Sequence, residues 1–221
     1  MNDISQDSLL REIDEDLRRE RYAKLWKRWG NFVVAGVLGM VLVVAGFQAW
    51  KYRVASAQRD AAARYTAALQ LAERDRPAAE QALAALAKDA PSGYAVLAQL
   101  RQAALRQQAG DRQGARALYQ DVQRGGEPMW RDLAVVLETQ VALEAEALPL
   151  DADALAAKLK PLLTDANPWR YTARELSALL DWRAGRGVEA RSGLTALASD
   201  AQVPADMRER AKQFLAQLGP S

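Results

Sequence analysis

Asp151 and Asp153 form the closest approach to a catalytic pair in this chain. Two neighbouring carboxylates can act as general acid and base. Here they follow the break Leu148-Pro149-Leu150, where an Asp is favoured as a helix cap by free backbone N–H groups and the helix dipole. The chain contains neither His nor Cys. That removes thiol nucleophiles, imidazole bases, disulfides and the usual zinc, haem and copper ligand sets. Any active site would have to be built from Asp, Glu, Lys, Ser or Tyr. Gly125-Gly126-Glu127-Pro128 is a glycine-rich run, but no strand precedes it, so it reads as a connector and not as a phosphate loop. Trp130, Trp169, Tyr171 and Trp182 read as packing residues before peptide anchors; Pro128 and Pro168 each open a helix beside a Trp and an Arg. No enzyme activity, cofactor, metal or small-molecule substrate is expected. The net charge of +2 on a mixed-sign surface also argues against a nucleic-acid partner.

With chemistry set aside, the organising element is Phe32 to Trp50, nineteen residues without a formal charge. As a helix it is about 28 Å long, close to the hydrocarbon thickness of a bilayer. Its Val, Leu and Phe residues favour insertion by roughly 3 to 6 kcal/mol. A transmembrane helix over 32–50 is expected, an uncleaved signal anchor, because Lys51 and Arg53 follow the run and the apolar stretch exceeds a signal peptide's core. Tyr22, Trp26 and Trp29 before it, and Trp50 and Tyr52 after it, suit the two membrane interfaces. Ala35, Gly39, Gly46 and Ala49 share one face, a seam along which another helix could pack closely.

Residues 1–31 read as an amphipathic cytoplasmic segment, with Leu10, Ile13 and Leu17 on one face and acid-first ion pairs such as Asp14 with Arg18. It is expected to rest on membrane lipid as a short surface helix. The basic residues Arg18, Arg19, Arg21, Lys24, Lys27 and Arg28 slightly outweigh Lys51, Arg53, Arg59 and Arg64, which favours a cytoplasmic N-terminus and an exported C-terminal domain.

Residues 51–221 are rich in Ala, Leu, Arg and Gln, a helical composition. The segment Ala109 to Val122 has the turn and second-helix pattern of a tetratricopeptide repeat. Ala103 is the small residue of the first helix, Gly110 the turn, and Ala115 and Tyr119 the packing positions of the second. The pattern returns with Ala178, Gly185, Ala190 and Leu194. Turns near residues 74, 110, 150 and 185 lie 36, 40 and 35 apart. The expected fold is all-α: an N-terminal amphipathic helix, a single transmembrane helix, then an α-solenoid of about four hairpins. A closing helix over Pro204 to Leu218 would turn Met207, Ala211, Phe214, Leu215 and Leu218 inward and its charged residues mostly outward. The reason is packing distance: helices nest where Ala or Gly faces Ala, and a lone hairpin cannot bury its own apolar face.

Four segments carry a wider resemblance: LLREIDEDLRRERYAKLWKRWG, APSGYAVLAQLRQAAL, NPWRYTARELSALLDWRAG and LASDAQVPADMRERA. In these the chain resembles the ancillary SecYEG translocon subunit (YfgM-like) family, in the form typical of alphaproteobacteria. The resemblance implies a single-pass inner-membrane protein with a periplasmic repeat domain. It further implies association with Sec translocon subunits and hand-over of exported clients to periplasmic chaperones or other envelope proteins.

Overall fold

The structure is a computed structural model describing residues 3–145 and 150–219. Among these residues there are helices and no strand. The chain divides into two units, Met1–Ser56 and Ala57–Ser221.

The first unit is the greater part of α1, Asp3–Ala72. The helix runs unbroken past residues 31 and 32, where a surface segment and a span were expected as separate elements. The composition explains the continuity. No Pro occurs before Pro77, and Gly30, Gly36, Gly39 and Gly46 each cost only about 1 kcal/mol amid good helix formers. One helix among the described residues, within Trp26–Ala72, is long and apolar enough to cross a membrane, and its apolar window is wholly unburied. The leader's expected ion pairs and apolar stripe lie outside the described side chains.

The second unit begins with the last turns of α1 and continues through α2 (Arg76–Asp89), α3 (Ser92–Gln108), α4 (Arg112–Gly125) and α5 (Pro128–Glu144). It is completed by α6 (Ala152–Leu159), a 3₁₀ turn (Lys160–Leu163), α7 (Arg170–Arg183), α8 (Gly187–Ser199) and α9 (Ala205–Gln217). Local chemistry sets the starts. Asp75, Asp111 and Asp151 cap α2, α4 and α6, accepting from the backbone N–H groups of Ala78, Gly114 and Ala154 at 3.1, 2.8 and 2.9 Å. Gly114 leaves room for its cap, because a Cβ there would push the Asp111 carboxylate aside.

Four apolar clusters form the core, and neighbouring clusters share a helix. Ala61 and Ala68 of α1 meet Leu83 and Leu86 of α2 and Ala98 of α3. Ala103 of α3 meets Ala115 and Tyr119 of α4 and Val141 of α5. Val135 and Val136 of α5 join Leu155 and Leu159 of α6 and Leu176 and Leu180 of α7. Ala178 of α7 meets Leu194 and Leu197 of α8 and Ala211 of α9. Because α3, α5 and α7 each serve two clusters, no hairpin stands alone.

The third hairpin is the irregular one. Its second helix has only eight residues, because Pro161 has no N–H to donate to the helix and forces the chain into 3₁₀ geometry.

Candidate partner-binding surface

The second and fourth hairpins repeat each other at a displacement of 75 residues. Ala98, Ala103, Leu105, Ala115, Tyr119 and Val122 correspond to Ala173, Ala178, Leu180, Ala190, Leu194 and Leu197, and all twelve are buried. Gly110 and Gly185 occupy the turns at φ 86° and 78°, where a Cβ would be strained. In both turns the N–H three residues past the helix reaches back to the last turn, Asp111 to the Arg106 carbonyl at 2.9 Å and Arg186 to that of Asp181 at 2.8 Å. Between α7 and α8, a Cβ on Gly193 would lie 3.0 Å from the Cβ of Ala178, so the two backbones approach closely at that small pair.

The two turns also carry the same ion pair with its signs exchanged. Arg106 lies 3.7 Å from Asp111, while Asp181 lies 2.8 Å from Arg186. In each case the arginine also meets an acid of the preceding hairpin, Glu80 of α2 at 3.5 Å or Asp153 of α6 at 3.1 Å. Arg186 therefore replaces the Asp cap seen at the other three turns, and α8 starts without a side-chain cap. The Asp181 hydrogen bond, with Asp153 and Glu189 nearby, holds the Arg186 guanidinium above its ordinary pKa. Asp153 is thus an ion-pair partner and Asp151 a cap, which places the two acids in separate structural roles.

A buried carboxylate that the sequence did not point to sits between the second and third hairpins. Glu138 of α5 is 1 % exposed. It accepts from Gln120 Nε2 at 2.6 Å, Gln123 Nε2 at 2.8 Å and Lys158 Nζ at 2.7 Å, with Arg116 at 3.8 Å. Burial opposes its charge, but the hydrogen bonds from Gln120, Lys158 and Gln123 outweigh burial and hold the carboxyl below its usual range. Three hydrogen bonds converge on this one group, so the cluster joins α4, α5 and α6. Glu138 stands at the centre of an apolar face: Ala134, Val135, Val141 and Ala142, three and four residues away on either side, are all buried. That pattern is the signal that could have found it.

Glu175 of α7 and Arg210 of α9 form a second such contact, bidentate at 2.5 and 2.7 Å. Arg210 is itself exposed, and its guanidinium reaches from α9 to the repeat stack. The Glu175 hydrogen bond is the main influence raising its pKa. Around this pair α9 packs as a closing helix, with Ala211 buried, Met207, Phe214, Leu215 and Leu218 against the core, and Trp182 edge-on to Phe214 at 6.2 Å. Trp130 and Trp169 pack against the second and third clusters, and Tyr171 lies under the Arg170 guanidinium at 4.2 Å. Among the described residues, two recesses open on this unit. One, of about 280 Å³, lies between α7 and α8 and is lined by Leu163, Arg174, Ser177 and Asp200. The other, of about 830 Å³, is a shallow hollow between the end of α1 and α2, lined by Arg64, Leu71, Arg74, Ala82 and Ala85.

In the first unit, Trp26, Trp29, Trp50 and Tyr52 are exposed, with Trp29 5.8 Å from Phe32 and Trp50 6.1 Å from Phe47. The Tyr22 side chain lies outside the described residues. Ala35, Gly39, Gly46 and Ala49 are exposed along α1, and a Cβ on either of the two glycines would meet nothing within 4 Å. Among the described residues no group of His, Cys, Asp or Glu is arranged to hold a metal ion.

Comparison with known families matches a tetratricopeptide repeat-like domain over residues 23–161. No curated protein and no solved structure matches the chain. The match ends before α7, yet the α7–α8 hairpin repeats six buried positions of α3–α4. With the match spanning more than half of its residues, the chain belongs to the tetratricopeptide repeat-like domain family.

Proposed function

We propose that this protein is a membrane-anchored scaffold that binds other proteins through its repeat domain. The observation that carries the reading is the joining of two features in one chain. These are an apolar helix with no protein packed against its span and a repeat domain whose buried acids are consumed by structure. A fold of this family serves protein contact, since stacked hairpins offer extended surfaces for partners. The span over 32–50 would insert into lipid, with Trp26 and Trp29 at one interface and Trp50 and Tyr52 at the other. The N-terminus would be cytoplasmic and residues 51–221 periplasmic, at the bacterial inner membrane. Resemblance to the YfgM-like family favours Sec translocon subunits and periplasmic chaperones as partners.

Crosslinking from positions between Tyr94 and Arg106 and between Trp169 and Trp182, followed by mass spectrometry, tests the assignment. Recovery of translocon or chaperone subunits is the expected outcome, and their absence refutes the partner choice. Protease added to intact spheroplasts should degrade residues 51–221; protection would reverse the orientation. A second reading, an accessory subunit of another inner-membrane complex, is favoured by the exposed seam of Ala35, Gly39, Gly46 and Ala49. A detergent pulldown separates the two, because a chain lacking residues 1–53 would then lose every partner.

A further inference from the structure

Aromatic and basic residues share one stretch of α1 just before the apolar run. Trp26 and Trp29 are exposed, as are Lys27 and Arg28 between and beside them. The same helix carries Arg18, Arg19, Arg21 and Lys24 in the preceding turns, with Glu20 as the single acid from Leu17 to Phe32. Helical register places Arg21, Lys24 and Arg28 on one face, while Tyr22, Trp26 and Trp29 fall on another. On the far side of the span the basic residues Lys51, Arg53, Arg59 and Arg64 are spaced over a longer stretch, with Asp60 among them.

Resting on the membrane-spanning reading above, we infer that residues 18–29 form a collar that binds anionic phospholipid headgroups. Indole rings settle at the headgroup level, which fixes the depth of this segment. Lys and Arg at that depth reach the phosphates, and a cluster of four to eight on one side of a span attracts net-negative lipid. Zwitterionic lipid offers the same phosphate with a compensating cation, so the net charge of the collar selects the anionic class. An acidic protein segment is the competing occupant.

The test uses the full chain carrying Trp50→Phe, reconstituted in nanodiscs, so that Trp26 and Trp29 are its bilayer-facing tryptophans. Brominated phosphatidylglycerol and brominated phosphatidylcholine are compared as quenchers at equal mole fraction. A chain lacking all three of Trp26, Trp29 and Trp50 supplies the background from the repeat domain. Stronger quenching by the glycerol lipid is expected. The preference should fall about fivefold for each residue neutralised in the series Arg21→Gln, Lys24→Gln, Lys27→Gln and Arg28→Gln, and should collapse in high salt. Equal quenching by the two lipids with the collar intact overturns the inference, as does a preference that survives the four substitutions. It is also overturned if the four substitutions release a bound acidic protein and leave lipid preference unchanged. Failure of the membrane reading looks different: neither lipid quenches, and alkaline carbonate extracts the chain.

Discussion

Replacing Glu138 should destabilise the repeat domain more than any other single polar change. Glu138→Ala removes a carboxylate that is 1 % exposed and strips Gln120, Gln123 and Lys158 of their shared acceptor. Breaking a buried pair from one side typically costs about 3 to 5 kcal/mol. Lys158 is 35 % exposed and can regain water, which argues for the lower end of that range, about 3 kcal/mol. In a domain of this size such a loss lowers Tm by about 6 to 12 °C. Glu138→Gln keeps the volume but turns a donor toward other donors, so it should fall between wild type and Ala. Glu138→Leu with Lys158→Leu removes both charges at once and should recover most of the stability, since matched apolar replacements of buried pairs are often neutral. The acid limb gives a second reading. The folded carboxyl titrates below its usual range, so its stabilisation is complete above the unfolded carboxylate pKa and is lost as pH falls through the lower folded value. Wild type should therefore lose stability in that acid window, and Glu138→Gln should lack that part of the slope. Urea unfolding of residues 54–221 followed by circular dichroism across pH measures both. A Glu138→Ala cost under about 1 kcal/mol, or an acid limb unchanged in Glu138→Gln, refutes the reasoning.

Five other substitutions separate the remaining physical causes. Gly110→Ala and Gly185→Ala should each cost about 1 to 2 kcal/mol in the same unfolding assay, because the turns need positive φ and the new methyl meets no atom within 4 Å. Gly193→Leu should destabilise the α7–α8 hairpin by about 1 to 3 kcal/mol, since its Cβ already lies 3.0 Å from that of Ala178. Arg210→Ala leaves the buried Glu175 without its bidentate partner, and faster amide exchange confined to α9 is the expected signature. Val41→Arg places a charge at the middle of the apolar run, costing about 3 kcal/mol of insertion, and should shift the chain toward the carbonate-extractable fraction.

The hairpins were legible because their seams depend on residue size at fixed intervals. Ala103 with Ala115 and Ala178 with Ala190 stand twelve apart in both copies, and the turn glycines follow the first of each pair by seven. The third hairpin was legible only as a break. Leu155 and Leu159 mark its packing face, but Pro161 cuts its second helix short, and no periodicity of apolar residues reports that. Charged residues were the hardest to read. A lone Glu in a helix ordinarily faces water, so neither Glu138 nor Glu175 stands out, although the burial of Glu138 follows from apolar neighbours at three and four residues. The ion pair of Arg210 was not legible because the carboxylate it meets lies 35 residues earlier, a distance no local pattern spans. The continuity of α1 was missed because a change of polarity at residue 32 is not a change of backbone preference.

An eight-residue helix has a bearing on the order in which this domain assembles. Segments so short do not hold helical form in water unaided, so α6 acquires its shape on docking against α5 and α7. Either flank offers a hairpin of long helices with a ready nucleus, α3 with α4 and α7 with α8. Growth inward from both would meet at α6, where Lys158 finds its carboxylate. On that route the join between the two halves would be the last piece placed.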